Sequence, residues 1–227
     1  MTATIDALIP VRALATAKKR LGPALAPEER RALAQAMLED VLHAAATAPR
    51  LRRIWVVTGD ADAAAIAQRY GARIVPEHRP ATGSPLNAAL EEGRRVLAAH
   101  NPPDALLVLP MDLPAITSET LSEFLRVVDD VPGPLVAICP ARDGGTNALL
   151  LRPPALIPFL FGRGSARKHA RAAEQAGAAV AIRPFPALAL DLDTPEDIRR
   201  LLTADAGWSR AAATLRTLGI AERLSGA

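Results

Sequence analysis

The 227-residue sequence is 50% hydrophobic, 22% charged and only 3% aromatic, so its core must be built from aliphatic residues. This length suits one large α/β domain. The formal charge of +3 is not interleaved with aromatic residues, which argues against a nucleic-acid partner and is compatible with small anions. The lone cysteine, Cys139, excludes an internal disulfide. With no signal peptide and no apolar run of about 18 residues, we expect a cytoplasmic protein with no membrane partner.

The first predicted strand covers Ile5–Val11, and a basic loop follows it. The loop carries Arg12, Lys18 and Arg20 before Gly22. A cationic loop after a first strand is a common way to bind phosphates, but most such charge runs are simply solvated. Both interpretations stay open here.

Helical and extended patterns then alternate. They predict a helix from Pro27 to about Ala48, a strand over Leu51–Thr58, a helix over Asp60–Tyr70, a strand over Arg73–Val75 and a loop from Pro76 to Asn87. The loop contains Gly83 and is long enough to suggest a function. Asn87 either reads a nucleobase edge with its amide or caps the helix that follows.

An apolar run, Leu106–Leu109, predicts a central strand buried on both faces. Asp112 follows it closely. Ligands of open α/β sheets lie outside the carboxyl ends of strands, where a carboxylate is well placed to hold a hard cation. A turn or helix-entry aspartate is the alternative.

The next segments contain two glycine-rich stretches. A helix over Thr117–Val128 and a strand over Leu135–Cys139 precede the turn DGGTN (143–147), which leads into a strand at Ala148–Leu151 and is explained by hairpin chemistry alone. FGRGSARKH (161–169) opens a helix that ends near Gly177. Backbone N–H groups and nearby cations favour an anion site at this helix start over an ordinary capped one. His169 by itself is expected to be structural or solvent-facing.

The last third predicts short strands at Val180–Arg183 and Ala187–Leu190 and then DLDTPEDIRRLL (191–202). Asp191 and Asp193 are two residues apart, so their side chains should point the same way in an extended segment. We predict one domain over residues 1–227. Its helical tail at about 208–225 would pack on the sheet or on another subunit, giving a possible homodimer.

The three carboxylates Asp112, Asp191 and Asp193 suit Mg²⁺, which usually takes one or two protein carboxylates together with substrate phosphates. Combined with two cationic, glycine-containing anion loops, they indicate phosphoryl or nucleotidyl transfer. A phosphate oxygen is already an anion, so this chemistry requires no general base.

The ordered motifs VRALATAKKRL, LPMDLP, DGGTNALLL, FGRGS and DLDTPEDI resemble those of the phospholactate guanylyltransferases of deazaflavin coenzyme (factor 420) biosynthesis. The resemblance implies a Rossmann-like nucleotide-diphospho-sugar transferase fold, with a mixed, mostly parallel sheet flanked by helices. It also implies transfer of GMP from GTP to 2-phospho-L-lactate, phosphoenolpyruvate or 3-phospho-D-glycerate, with release of diphosphate.

The resemblance also implies roles for individual residues. Asp112, Asp191 and Asp193 would hold Mg²⁺; Thr146, Gly162 and Ser165 would bind the acid; Arg12, Lys18, Arg20, Gly83 and Asn87 would bind GTP, with Asp112, Lys18 and Arg20 catalytic. Related sugar-nucleotide enzymes carry a GxGTR signature after the first strand, and this chain has Arg12 to Arg20 there instead. The alternatives are nucleotide transfer to molybdopterin or a sugar phosphate, and a non-catalytic nucleotide-binding subunit.

Overall fold

A computed structural model describes residues 3–78, 83–204 and 207–225. In these ranges the strands form one seven-stranded sheet. The strands are β1 (Ile5–Pro10), β2 (Leu51–Thr58), β3 (Arg73–Pro76), β4 (Ala105–Val108), β5 (Leu135–Pro140), β6 (Thr146–Arg152) and β7 (Ala179–Ile182). The bounds predicted for the second strand match those observed for β2.

The helices lie between and after these strands. They are α1 (Pro27–Thr47), α2 (Ala61–Arg69), α3 (Pro85–Ala99), α4 (Ser118–Leu125), α5 (Val127–Asp130), α6 (Ser165–Gln175), α7 (Pro186–Ala189), α8 (Pro195–Thr203), α9 (Arg210–Thr217) and α10 (Ile220–Ser225). Two 3-10 turns, Leu14–Thr16 and Lys19–Leu21, interrupt the loop after β1. The helix predicted over Thr117–Val128 is divided at Arg126 into α4 and α5.

The sheet has the order β3-β2-β1-β4-β6-β5-β7. Only β6 runs antiparallel to its neighbours, β4 and β5, so the predicted mixed, mostly parallel sheet is confirmed. The chain runs outward from β1 to β3 and then returns to β4 on the other side of β1. The strand order therefore reverses between β1 and β4, and ligands of open α/β sheets bind at the carboxyl ends beside such a reversal.

An aliphatic core lies on each face of the sheet, as the composition predicts. One core is built around α1, α2 and α4, and the other around α3 and α6. On α3, Gly93 permits direct contact with the sheet, because a Cβ there would lie 2.7 Å from Leu8 and 2.8 Å from Val57. All four β4 residues are 0–1% exposed, which agrees with a central strand buried on both faces.

The predicted strand Ala187–Leu190 is wrong. Residues from Pro186 to Ala189 form the single helical turn α7. Pro186 is preset for a first helical position, and the carbonyl of Phe185 accepts hydrogen bonds from the N–H groups of Leu188 and Ala189. The carbonyl of Leu188 in turn accepts a hydrogen bond from buried Asn147 at 2.9 Å. These contacts satisfy the backbone without a sheet partner.

The C-terminal segment forms two helices instead of one, with Gly219 between them at φ +63°. Its α9 begins on Asp40 of α1, whose buried carboxylate accepts hydrogen bonds from Ser209 Oγ and from the backbone N–H groups of Arg210 and Ala211 at 2.9–3.0 Å. The segment therefore packs on α1. The single-domain and homodimer assignments stay predictions. Among the described residues, no helix is long and apolar enough to span a membrane.

Candidate active site

A cleft of about 420 Å³ opens at the carboxyl ends of β1 and β4, where the strand order reverses. It is lined by residues from the loop after β1, the start of α3 and the segment after β4, together with Phe161 and Asp193. In full, the lining consists of Pro10, Arg12, Ala13, Thr16, Ala17, Lys18, Lys19, Leu86, Val108, Pro110, Met111, Asp112, Phe161 and Asp193. Residues of the predicted basic loop and two of the predicted carboxylates thus line the same cleft.

Lys18 is the central cation of this cleft. Buried Leu14 and Leu21 anchor the loop on both sides of it, and the N–H of Leu14 donates to Asp60 at 2.8 Å. Between these anchors the backbone of Lys18 is left-handed, with φ 54° and ψ 39°, a conformation that costs an L-residue about 1 kcal/mol. This conformation accompanies an inward-directed ammonium group, on a side chain that is only 6% exposed.

The Lys18 ammonium bridges two carboxylates from distant parts of the chain. Its Nζ lies 2.6 Å from Asp112 Oδ2 and 2.8 Å from Asp193 Oδ1. Asp112 follows β4, and Asp193 precedes α8, which Thr194 and Asp197 cap reciprocally. The predicted meeting of acidic side chains from these two segments is therefore present, with a lysine between them. We call Lys18, Asp112, Asp191 and Asp193 the acidic cluster.

Alternation along the segment before α8 orients its two aspartates. Leu192 is 0% exposed, and Asp191 and Asp193 on either side of it are half-buried. This is the arrangement expected for an extended segment in which both carboxylates lie on the face opposite Leu192.

Opposing charges set the pKa values of the cluster. Burial alone lowers the pKa of Lys18, but the charges and hydrogen bonds of Asp112 and Asp193 outweigh it and raise that pKa above 10.5. For Asp193, burial raises the pKa, and the ammonium of Lys18 outweighs this and lowers it. The pKa of Asp191 is raised, first by burial and then by the charge of Asp112. The cluster therefore keeps a charged lysine between Asp112 and Asp193.

The acidic cluster is arranged around the ammonium group of Lys18. In the described ranges, no group of three or more His, Cys, Asp or Glu side chains is arranged to hold a metal ion. Lys18 instead supplies the positive charge between Asp112 and Asp193. The donor set fits Mg²⁺, since hard carboxylate oxygens from one or two side chains, completed by substrate phosphates, are what that ion takes.

The other residues predicted to bind the nucleotide lie at different depths. Arg12 lines the cleft, and Arg20 is 79% exposed with its Nη1 3.4 Å from Asp193. Gly83 is exposed at φ +89° before α3. The loop predicted over Pro76–Asn87 lies partly outside the described residues, at positions 79–82.

The Asn87 amide is engaged by the protein itself. Its Oδ1 accepts from the N–H of Phe161 at 2.9 Å, and its Nδ2 donates to the carbonyl of Phe161 at 3.3 Å. Helix capping by Asn87 is wrong, because Ser84 supplies that contact. Asn87 therefore ties the start of α3 to the FGRGS loop, and its role toward a nucleoside stays a prediction.

Two of the residues predicted to bind the acid meet in a buried hydroxyl pair. Thr146 Oγ1 and Ser165 Oγ lie 2.9 Å apart, and each residue is less than 10% exposed. Gly162 adopts φ +125°, which requires glycine, and Gly164 adopts φ +66°, a left-handed conformation that favours it. The predicted DGGTN hairpin joins β5 to β6, and its Gly144 carbonyl accepts from the N–H of Ala166 at 3.3 Å. The two glycine-rich motifs therefore meet.

His169 completes this group in a structural, not a solvent-facing, position, and its contact with Thr146 was not predicted. It is 0% exposed, its Nδ1 lies 3.2 Å from Thr146 Oγ1, and its Nε2 accepts from the N–H of Leu160 at 3.0 Å. The sequence does hold a signal, since His169 follows Ser165 by four residues and so shares its helix face. We call Thr146, Ser165 and His169 the hydroxyl cluster.

Comparison with known proteins assigns the family. A family model described as "Guanylyl transferase CofC like" matches residues 5–225. A phosphoenolpyruvate guanylyltransferase of Rubrobacter xylanophilus is 42% identical over 87% of this chain and 93% of that protein. A 3-phospho-D-glycerate guanylyltransferase of Phenylobacterium zucineum is 38% identical over 85% and 87%.

The fold agrees with a solved structure of low sequence identity. A putative nucleotide-diphospho-sugar transferase from Desulfovibrio desulfuricans G20 superposes with a TM-score of 0.76 at 18% identity, over 97% of each chain. The predicted fold type is thus confirmed. The family match over nearly the whole chain and the identities above 30% lead to one conclusion: this chain belongs to the CofC-like guanylyl transferase family of nucleotidyltransferase enzymes.

Proposed function

We propose that this enzyme transfers GMP from GTP to a small phosphorylated acid and releases diphosphate, as a step in deazaflavin coenzyme biosynthesis. The observation that carries the proposal is the acidic cluster in the cleft between β1 and β4, within a chain that matches a guanylyltransferase family from residue 5 to 225. A lysine ammonium, together with carboxylates able to hold a metal ion, can offset the charge of a phosphate bound in the cleft.

The reaction balances without a proton donor or acceptor from the protein. A phosphate oxygen of the acid attacks the α-phosphorus of GTP and forms a new P–O bond. The bond from that phosphorus to the oxygen bridging to the β-phosphate breaks, and diphosphate leaves with the electron pair. Because the nucleophile is already an anion, the task of the protein is positioning and charge compensation.

Asp112, Asp191 and Asp193 would hold Mg²⁺, the cofactor we propose. When bound, Mg²⁺ polarises phosphoryl oxygens and offsets their negative charge. Lys18 and Arg20, with Arg12 at the cleft wall, would contact the GTP phosphates. The start of α3, with Gly83 and Asn87, would approach the nucleoside.

Thr146, Gly162 and Ser165 would bind the phosphate and carboxylate of the acid. Phosphoenolpyruvate and 3-phospho-D-glycerate appear in the names of the relatives, and 2-phospho-L-lactate belongs to the same chemical class. All three carry one phosphate and one carboxylate, so a shared set of anion contacts would serve each. GTP and such acids as substrates also agree with the cytoplasmic location expected from the sequence.

The test is diphosphate release by the purified enzyme with GTP, Mg²⁺ and each of the three acids in turn, with the guanylylated product identified by mass. We expect release that requires an acid and Mg²⁺. Release with a sugar phosphate or molybdopterin in place of the acids would overturn the proposed acceptor. Binding of GTP without release under every condition would indicate a nucleotide-binding subunit instead.

A further inference from the structure

One backbone group determines which atoms of the hydroxyl cluster donate hydrogen bonds and which accept them. The N–H of Leu160 can only donate, so His169 Nε2 must accept its hydrogen bond. A neutral imidazole with an accepting Nε2 carries its proton on Nδ1. That Nδ1–H therefore donates to Thr146 Oγ1 at 3.2 Å.

This donation leaves a hydroxyl proton for a ligand. Thr146 and Ser165 together have two O–H donors, and the 2.9 Å bond between them uses one. No other acceptor for either hydroxyl is seen among the described contacts. The remaining O–H is therefore available to donate, and a hydrogen bond from a fixed hydroxyl favours a charged oxygen over a neutral one.

The surroundings of His169 keep its ring neutral and fix its orientation. Burial, with a smaller contribution from the charge of Lys168, lowers the pKa of His169 to about 4. The ring of Phe161, which lines the cleft, lies edge-on to the imidazole with the centroids 5.0 Å apart. The hydrogen bonds of its two nitrogens and the contact with Phe161 thus fix the orientation of the imidazole. It stays neutral at the pH of the cell.

We propose that His169 is a positioning residue for the anionic acid substrate: it orients the Thr146–Ser165 hydroxyl pair so that one O–H donates to a phosphate or carboxylate oxygen. The inference depends on the proposed function, in which Thr146 and Ser165 bind the acid. His169 acts through Thr146, so its effect should fall on the acid and not on GTP.

Two substitutions test the contacts of the two ring nitrogens separately. In His169→Asn the amide nitrogen lies near the position of Nδ1 and can still donate to Thr146. In His169→Gln the amide reaches the position of Nε2, so it can accept from Leu160 but supplies no donor to Thr146. The two variants are therefore matched in polarity and differ in which contact they keep.

Steady-state diphosphate release is measured with each substrate varied, beside thermal unfolding. We expect His169→Gln to raise the KM for the acid about tenfold with the KM for GTP changed less than twofold, and His169→Asn to recover most of the loss. Equal losses in both variants that follow their unfolding temperatures would overturn the inference and leave a packing role. So would a matching rise in the KM for GTP.

Nitrogen NMR of the imidazole tests the inference without turnover. We expect His169 of the wild-type enzyme at pH 7 to be neutral and protonated on Nδ1. An Nε2-protonated or doubly protonated ring would overturn the inference even if the enzyme is active. Inactivity of the wild type with every acid would instead contradict the proposed function, so the two failures are distinguishable.

Discussion

The acidic cluster and the hydroxyl cluster are built in opposite ways. In the acidic cluster, Asp112 and Asp193 have 24% and 39% of their side chains exposed, and their shared cation comes from a lysine in a left-handed conformation. In the hydroxyl cluster every member is neutral and less than 10% exposed. We therefore expect the first cluster to exchange its lysine cation for a bound metal ion, whereas the other has donors in fixed directions.

This difference suits a reaction between two anions. A triphosphate that must lose diphosphate needs positive charge placed where negative charge develops. A small acid that must present one oxygen in line needs fixed hydrogen bonds more than charge. The predictions below test whether the two clusters divide the work in this way.

The largest effect is expected at Asp112. Replacing it with asparagine keeps the shape but removes one of the two carboxylates on Lys18, and with it the proposed metal ligand. We expect kcat to fall by about 10³-fold, or about 4 kcal/mol of transition-state stabilisation, in a protein that still folds. Diphosphate release measures the fall in kcat, and far-UV circular dichroism measures whether the variant is folded.

Asp6 provides the matched control for Asp112. It is 0% exposed in β1, away from the cleft lining, and it accepts hydrogen bonds from Arg52 at 2.8 Å and from Trp55 at 3.0 Å. Asp6→Asn should lower the unfolding temperature and leave kcat nearly unchanged. An Asp112→Asn variant with wild-type turnover would remove Asp112 from the mechanism.

The second effect concerns the pH dependence of stability. His169 has a pKa of about 4 in the folded chain and about 6.5 when unfolded, so the unfolded state binds more protons between these values. Stability should therefore fall as the pH falls through this window, by about 3 kcal/mol from this residue. Urea unfolding at pH 7 and pH 4 measures it.

The comparison for this pH effect is His169→Gln, which cannot titrate. Its stability loss between pH 7 and pH 4 should be smaller than that of the wild type by about the same 3 kcal/mol. Parallel loss in both proteins would mean that other groups carry the acid sensitivity, and that the hydroxyl cluster is not held neutral by burial.

Much of the fold follows from local pattern. The β-rich segment Leu51–Thr58 gave a strand with the observed bounds, and the apolar run at Leu106–Leu109 gave one displaced by a single residue from the observed Ala105–Val108. The short run at Ala187–Leu190 misled, because its backbone is satisfied by Phe185 and Asn147 and not by a neighbouring strand. The contact of Asn147 with the Leu188 carbonyl joins residues 41 positions apart, and no local pattern carries it.

The candidate site, like the fold, has some features that the sequence predicts and others that depend on the three-dimensional structure. Asp191 and Asp193 were expected to follow a strand, and they instead follow the helical turn α7. The position of Asp112 follows from where strands end in an α/β sheet. The inward position of Lys18 does not, since it depends on a left-handed residue between two buried leucines. For His169 the sequence left a structural and a solvent-facing position open, because a lone histidine gives no sign of burial until Leu160 and Thr146 are placed beside it.

The third prediction concerns Ser165. Ser165→Ala removes the hydroxyl that bonds to Thr146 and, in the proposed site, a donor to the acid. A hydrogen bond to a charged group is worth about 2 kcal/mol, so kcat/KM for the acid should fall about 30-fold with little change in GTP binding. Steady-state kinetics and GTP titration measure both, and equal losses would assign the FGRGS loop to the nucleotide.

The smallest effect tests the exchangeable cation directly. Lys18→Met retains an apolar stem of similar length and removes the ammonium that lies within 2.8 Å of both Asp112 and Asp193. The two carboxylates then lack their internal cation and should bind Mn²⁺, a spectroscopic substitute for Mg²⁺, about tenfold more tightly without nucleotide. Tenfold is ~1.4 kcal/mol, a fraction of the ~4 kcal/mol for unit charges about 4 Å apart at an effective dielectric constant of about 20. Electron paramagnetic resonance of free Mn²⁺ measures the affinity, with Arg52→Met beside Asp6 as the control for loss of a cation elsewhere.

Unchanged or weaker Mn²⁺ binding in Lys18→Met would mean that the lysine helps to build the metal site. The acidic cluster would then not exchange its cation, and its contrast with the fixed, neutral hydroxyl cluster would no longer hold.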